Sequence, residues 1–178
     1  FALDDAGEII EQVGGYVYDP RQRPWYVGAM RAPEPTYLQP YAWINEDGSS
    51  ITLGLPFVER VADHEGETLG VLSTEISLED LSDFLRTLRV GDAGFVVVMD
   101  AEGHLIATSR PAAIATSDQA LLRATESEDD LIAGIAAAMD EQQVESEGML
   151  IRISAYREVP GLAWIVPVAV PEPDVLAP

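Results

Sequence analysis

Gly70-Val-Leu-Ser-Thr-Glu-Ile-Ser-Leu-Glu-Asp-Leu81 joins two kinds of local structure. Thr68 to Ile76 reads as a strand, and Ser77 then opens a helix with Asp80 three residues on, as in a capping box. Leu78, Leu81, Leu85 and Leu88 fall on one face of that helix, and Gly91 ends it. Two strands precede this segment, near Tyr41–Ile44 and Ile51–Arg60, with turns at Asn45–Ser50 and Asp63–Gly66. Earlier still, Phe1 to Ile10 reads as a hairpin turning at Asp4-Asp5-Ala6-Gly7, and Tyr16 to Tyr18 as a strand. Arg21 to Arg31 and the Pro-rich Pro33 to Pro40 read as loop or a short helical turn. Past Gly91, Gly94 to Ala107 is a second hairpin, with Asp100-Ala101-Glu102-Gly103 as its turn. Ala112 to Ala124 is weakly helical, and Ser127 with Asp130 is expected to cap a helix running to Met139. Met149–Tyr156 and Leu162–Val170 close the chain as strands joined at Pro160-Gly161. The class is α+β.

The chain also echoes itself. Phe1 to Ile10 matches Phe95 to Ile106, so that Asp5 falls on Asp100, and the same offset carries Gly70–Leu81 onto Ile165–Leu176. Two related sheet modules joined by the helix Ser77–Arg89 account for both matches.

Composition removes several functions. The 178 residues are ample for a hydrophobic core, with 47% apolar and 23% charged positions. Asp and Glu number 31 against 10 basic residues, all of them Arg, for a formal charge of −21. Without Lys there is no P-loop Lys, Schiff base or Lys general base. Such an acidic surface repels nucleic acid and anionic lipid, so nucleic acid is not a partner. Cys is absent, which excludes disulfides, thiolate metal sites and a Cys nucleophile. No apolar run reaches the roughly 18 residues that span a bilayer, and the start is not a signal peptide. The chain opens on Phe1 without Met and reads as a piece of something longer. His64 and His104, the two His, lie beside turns without metal-ligand spacing and read as solvated. Carboxylate pairs such as Asp4-Asp5, Asp129-Asp130 and Asp140-Glu141 read as solvated faces or helix starts. No catalytic residue, metal site or cofactor is expected, and the chain is not read as an enzyme.

One stretch stands out chemically, Tyr18-Asp-Pro-Arg-Gln-Arg-Pro-Trp-Tyr26. Arg guanidinium is a planar fork suited to a carboxylate, and Trp and Tyr supply apolar walls with polar tips. Two readings stand: a pocket for a small anion, or Arg side chains paired with neighbouring acids and rings that serve as core.

Together with Pro40-Tyr41, Gly70–Leu81 and Gly94-Phe-Val-Val-Val-Met-Asp-Ala-Glu-Gly103, this stretch resembles the double Cache (dCache) sensor domains of bacterial receptors. The resemblance covers essentially the whole chain. It implies two tandem PAS-like (Cache) modules, each an antiparallel sheet flanked by helices, with the family's long N-terminal helix missing. Residues 1–76 would form the membrane-distal, ligand-binding module, 77–90 the connecting helix and 91–178 the membrane-proximal module. The domain would lie outside the cytoplasmic membrane, in the periplasm, between two membrane helices of the full-length protein, with Pro178 just before the second. A homodimer through the missing helix is a further implication.

In the amino-acid-binding branch of that family the ligand-binding pattern is matched here by Tyr18, Arg23, Trp25, Tyr26 and Tyr41. The resemblance implies that Arg23 and Trp25 hold a ligand carboxylate and that the Tyr residues line the cavity. Trp43 stands where a first amine-binding Asp is expected, and Glu75 where a second is. Losing one charge-assisted hydrogen bond in a pocket costs on the order of 1.5–3 kcal/mol. The expected ligand is therefore a small carboxylate or an amino-acid-like molecule, relaying a conformational change through Leu176 and Pro178. An amine sensor using Glu75 and the rings, and a ligand-free structural or dimerisation spacer, are the alternatives. The second module offers no comparable cluster of Arg with aromatics. The Asp-Pro-Arg-x-Arg-Pro-Trp-Tyr form is most similar to sensors on nucleotide cyclases, cyclic-dinucleotide enzymes and histidine kinases.

Overall fold

A computed structural model describes residues 2–3, 9–11, 19–44, 51–140, 145–146, 148–157 and 159–176. At the start, β1 (Ala2–Leu3) and β2 (Ile9–Glu11) pair antiparallel, with Leu3 opposite Ile9. The turn expected at Asp4–Gly7, the strand Tyr16–Tyr18 and the turn Asn45–Ser50 lie outside the described residues. Arg21 to Arg31 is more ordered than a loop. Pro20–Gln22 is a single 3-10 turn, and α1 (Pro24–Arg31) is a regular helix with Arg23 at its N-cap. Pro24 at the first helical position explains the start, because its missing N–H costs nothing there and its φ already suits a helix.

Next come β3 (Thr36–Tyr37), β4 (Tyr41–Ile44), β5 (Ile51–Ala62) and β6 (Thr68–Ser77). The twelve-residue β5 organises them. Along one edge it takes β3, with Tyr37 opposite Phe57, and then β4, with Tyr41 opposite Gly54. Along the other it pairs β6, with Pro56 opposite Glu75. Pro56 has no N–H for a ladder, and it sits where β5 changes edge partner. Its carbonyl accepts from the Leu38 amide at 3.0 Å.

Directly opposed residues share a face, so this register sorts side chains. Leu53, Leu55 and Phe57 face one way. Thr52, Gly54, Pro56 and Val58 face the other, together with Leu38, Tyr41, Trp43 and Glu75. The second face belongs to α1, because a Cβ on Gly28 of that helix would come within 2.3 Å of Leu38 Cδ1. Ala29 and Val58 are fully buried.

The helix α2 (Leu78–Thr87) follows β6 without a break, and the Ser77 hydroxyl accepts from the Asp80 amide at 3.3 Å, as the capping pattern requires. Leu78 and Leu85 are buried, but Leu88 is the C-cap residue and 43% exposed, so the apolar face is one turn shorter than the spacing implied. After Gly91, whose φ of +60° suits glycine, come β7 (Phe95–Met99) and β8 (Leu105–Thr108). The expected turn between them is present, closed by Gly103 at φ +82°.

Ala112 to Ala124 is not helical. Thr116 and Ala120 bond each other's main chain, Ala115 bridges Leu121, and Gln119 takes φ +61°. Thr116-Ser-Asp118 supplies side chains that compete for the backbone, which favours turns over helix. The helix α3 (Asp130–Asp140) starts where expected, but its cap is Asp129. The Asp129 carboxylate accepts from the amides of Leu131 and Ile132, while the Ser127 hydroxyl accepts from the Asp129 amide.

The chain closes with β9 (Glu145–Ser146), β10 (Met149–Tyr156), β11 (Trp164–Pro171) and the short α4 (Glu172–Leu176). The second sheet runs β8-β7-β11-β10-β9, antiparallel throughout. In both β6–α2 and β11–α4 a strand runs straight into a helix, the part of the internal echo that these elements display. Among the described residues no helix is long and apolar enough to cross a membrane.

All five residues of β7 are buried, and they alternate between two cores. Phe95, Val97 and Met99 pack with Ile132, Ile135 and Ala136 of α3. Val96 and Val98 pack with Leu55 of the first sheet and Leu78 and Leu85 of α2. The layers therefore run α1, first sheet, α2, second sheet, α3. His64 is exposed as expected, whereas His104 is half-buried and its Nδ1 lies 3.0 Å from Asp100 Oδ2.

Two stability predictions follow from this packing. Leu78→Ala should cost about 2–5 kcal/mol in urea unfolding followed by circular dichroism. Because Leu78 belongs to a core built from both sheets, one cooperative transition should persist at a lower midpoint; two separated transitions would show that the sheets unfold independently. Gly54→Ala would place a Cβ 1.6 Å from Trp43 Cζ3. It should cost about 1–3 kcal/mol and shift indole fluorescence, and an unchanged spectrum would mean that Trp43 does not rest on Gly54.

Candidate functional site

The register puts three of the sequence-selected residues, Tyr41, Trp43 and Glu75, on the α1 face of the first sheet. Arg23, Trp25 and Tyr26 lie at and just inside the N-terminus of α1, and all three are half-buried. Trp25 and Tyr26 meet edge to face, with ring centroids 5.7 Å apart at 70°. Tyr41 and Trp43 project from β4 onto the same side of the sheet, their centroids 6.2 Å apart at 60°. The Tyr41 hydroxyl donates to Glu75 Oε1 at 2.5 Å, across the width of β5. Tyr18 lies outside the described residues.

Gly54 explains how a Trp fits on β4. A side chain at that position would collide with the Trp43 ring, with Cζ3 at 1.6 Å and Cη2 at 2.1 Å from an ideal Cβ. The bare backbone of Gly54 is thus the seat of the indole.

Two features of α1 itself make its start positive. The N-terminus of a helix carries a partial positive charge, and α1 has no acidic residue in its first turn. Arg23 adds a full positive charge at that pole, and its Nε is buried. The nearby acid Asp19 pairs with Arg21. Its Oδ1 accepts from Arg21 Nε at 2.8 Å and its Oδ2 from Arg21 Nη2 at 3.0 Å. Those bonds hold the Asp19 carboxyl below its ordinary value and raise Arg21. The pair's contribution to stability is present above the ordinary carboxylate value and is lost as pH falls through the lowered one. Both groups are solvated, so that contribution is small.

The sequence reading missed an Arg–aromatic cluster in the second sheet. Arg110 Cζ lies 4.8 Å from the Phe95 ring centroid, and Arg110 Nε donates to Asp129 at 2.5 Å. These residues are far apart in the chain, and only the β7–β8 hairpin and the cap of α3 bring them together. Arg110 has its carboxylate already, which makes this a structural ion pair.

Asp100, Glu102 and His104 place three candidate ligand atoms within 4.8 Å of one another. Asp100 Oδ1 accepts from the Glu102 and His104 amides at 3.0 and 2.8 Å, and Oδ2 contacts His104 Nδ1. The carboxylate is the organiser of its own hairpin turn.

No family model matches the chain. It is 24% identical over 149 residues to the methyl-accepting chemotaxis protein McpA of Pseudomonas putida, covering 84% of this chain and 22% of that protein. Adenylate cyclase 1 of Rhizobium meliloti is 30% identical over 122 residues, 66% of this chain and 17% of the cyclase. The chain thus spans about a fifth of the length of these curated relatives. Among solved structures, the ligand-binding domain of the Pseudomonas fluorescens chemoreceptor CtaA in complex with L-valine superposes with a TM-score of 0.58 at 19% identity, covering 96% of this chain and 70% of that one. The ligand-binding domain of the Pseudomonas aeruginosa amino acid chemoreceptor PctB in complex with L-Arg gives 0.57 at 20% identity, covering 90% and 64%. The antiparallel sheets, their flanking helices and these superpositions agree: the chain has the double Cache fold of chemoreceptor ligand-binding domains.

Proposed function

We propose that this chain is the extracytoplasmic, ligand-sensing domain of a bacterial signal-transduction receptor. It binds a small carboxylate or amino-acid-like molecule between α1 and the first sheet. What supports this reading is that β4 and β6 put Tyr41, Trp43 and Glu75 on the sheet face against which α1 packs, while Arg23, Trp25 and Tyr26 stand at the start of that helix. An Arg at a helix N-terminus offers a carboxylate two-pronged hydrogen bonding and a favourable dipole. The rings provide apolar walls, and Glu75 provides a negative pole for a cationic group. Tyr18 is proposed to complete the lining. The likeness to receptors whose solved structures hold L-valine and L-Arg supports the ligand class. No catalytic step is assigned, since the solved likenesses are binding domains.

In this reading residues 1–76 form the membrane-distal module, 77–90 the connecting helix and 91–178 the membrane-proximal module. The relay runs from β6, which carries Glu75, directly into α2 and its shared core, and on to α4. Asp174 of α4 ties the end of that route, since its Oδ2 accepts from the amides of Asp92 and Ala93, both at 3.0 Å. Ligand binding shifts such an equilibrium only by its difference in affinity for the two states.

A thermal-shift screen against L-amino acids, small carboxylates and amines tests the proposal, with Arg23→Ala alongside. A ligand at a hundred times its Kd adds about 2.7 kcal/mol and should raise the midpoint by roughly 5–10 °C. Carboxylate-bearing compounds should produce that shift, and Arg23→Ala should remove it. Shifts confined to amines lacking a carboxylate would transfer the site to Glu75 and the rings. No shift from any compound would leave the domain a structural spacer.

A further inference from the structure

Away from the pocket proposed above, the turn between β7 and β8 brings two carboxylates and an imidazole together. One ligand atom from each of Asp100, Glu102 and His104 lies within 4.8 Å of the other two. Asp100 is 8% exposed, and its two oxygens have separate duties. Oδ1 accepts the Glu102 and His104 amides, while Oδ2 is left facing His104 Nδ1 at 3.0 Å. Arg123 Nη1 donates to the main-chain oxygen of Glu102 at 3.1 Å, and among the described residues nothing bonds the Glu102 carboxylate. The main chain holds this arrangement in place: the Asp100 amide donates to His104 O at 3.0 Å, and the Ala124 amide to Gly103 O at 2.9 Å.

Oxygen and nitrogen ligands stand about 2.1 Å from an ion such as Zn²⁺, so a pair 3.0 Å apart subtends roughly 90°. That is the angle between adjacent ligands of a five- or six-coordinate ion. The exposed Glu102 side chain closes on an ion held by the other two. An imidazole beside two carboxylates suits divalent transition ions, whereas Ca²⁺ and Mg²⁺ prefer oxygen throughout. The remaining coordination positions open onto a cavity of about 410 Å³ that Gln39 also lines. Gln39 lies between β3 and β4, so the cluster stands where the first sheet meets the hairpin turn of the second. The net charge of −21 draws any cation toward the surface, and the imidazole is what discriminates among them.

We propose that Asp100 Oδ2, the Glu102 carboxylate and His104 Nδ1 bind a divalent transition-metal ion, with water in its remaining positions. Asp100 Oδ1 keeps its hold on the turn, so binding needs no rearrangement of the main chain. The site is independent of the pocket beside α1, and either stands if the other fails. The 3.0 Å spacing also suits an Nδ1–H donating to Oδ2, and the two arrangements differ in where the ring proton lies: an ion on Nδ1 places it on Nε2.

The test uses the whole domain, freed of metal by chelator and dialysis. Zn²⁺, Mn²⁺ and Ca²⁺ chlorides are titrated calorimetrically in about 0.15 M salt, which screens the diffuse pull of the acidic surface. One equivalent of Zn²⁺ should bind, about tenfold or more tighter than Mn²⁺ and tighter still than Ca²⁺. Glu102→Gln and His104→Ala should each weaken Zn²⁺ by about tenfold or more, whereas His64→Ala, at an exposed position outside the cluster, should leave it unchanged. The unfolding midpoint without metal shows that each variant folds. With two His in the chain, their ring signals separate by NMR, and Zn²⁺ should move those of His104 alone and place its proton on Nε2. That readout is taken on the unmutated chain and decides the case where a variant unfolds. Zn²⁺ binding equally well to Glu102→Gln and His104→Ala would make it a diffuse property of the acidic surface and overturn the site. Ca²⁺ binding as tightly as Zn²⁺ would overturn the role of the imidazole and with it the class of metal. No saturable binding at millimolar Zn²⁺, with the His104 ring unmoved, would leave Asp100 and His104 as a hydrogen bond of the turn.

Discussion

Leu55, Leu78, Leu85, Val96 and Val98 fill the space between the two sheets, and the rest of the molecule is arranged around that contact. A strand has two faces, and once one is committed to a core the other is fixed by the pleat. On β5 the commitment of Leu53, Leu55 and Phe57 to the inter-sheet side leaves Thr52, Gly54, Pro56 and Val58 for α1. Pairing across the register then brings Tyr41, Trp43 and Glu75 to that same side. A one-residue slip of β4 would send both rings into the inter-sheet core. The shared face of Tyr41, Trp43 and Glu75 is thus a by-product of how the core is packed.

The strands from Tyr41 to Ser77, the final hairpin and α2 were legible because each carries its own local signal: turn residues, β-branched runs, and a Ser cap followed by spaced Leu. Where the structure departs from the reading, the deciding term is local competition or tertiary contact. The helix α1 opens with Pro and two aromatic residues, which carry weak helix propensity, and its packing on the first sheet through Gly28 and Leu38 makes up the difference. Ala112 to Ala124 is rich in Ala, yet Thr116-Ser-Asp118 closes a turn. Asp129 displaces Ser127 as the cap of α3, with a carboxylate that also serves Arg110.

The residues of the candidate site were named from the sequence, and the contacts among them were not. Five of the seven named positions came from one motif and its spacing, and Trp43 and Glu75 from departures at positions where acids were expected. The Tyr41–Glu75 hydrogen bond spans 34 residues, and the seating of Trp43 on Gly54 crosses strands. Either could be anticipated only from a known register, and register is what a strand's sequence specifies least directly. The Arg110–Phe95–Asp129 cluster was missed for the same reason. In a chain with so many acids, an Arg finds a carboxylate close by, as Arg21 does with Asp19 and Arg86 with Asp83. Arg content alone therefore says little about anion binding; placement at the start of a helix without acidic residues in its first turn says more.

The same geometry constrains how binding could be transmitted. Glu75 and Leu78 are three residues apart, one on the α1 face of the sheet and the other fully buried between the sheets. No loop separates them to absorb a displacement, since β6 ends at Ser77 and α2 begins at Leu78. Interiors packed at this density respond to a shift by repacking rather than by gradual compression. Leu78 in turn shares its core with Val96 and Val98 of β7. At the far end, Gly91 and the two amides given to Asp174 join the exit of α2 to the last helix. The path runs through the core, and the Asp174 carboxylate ties down its far end.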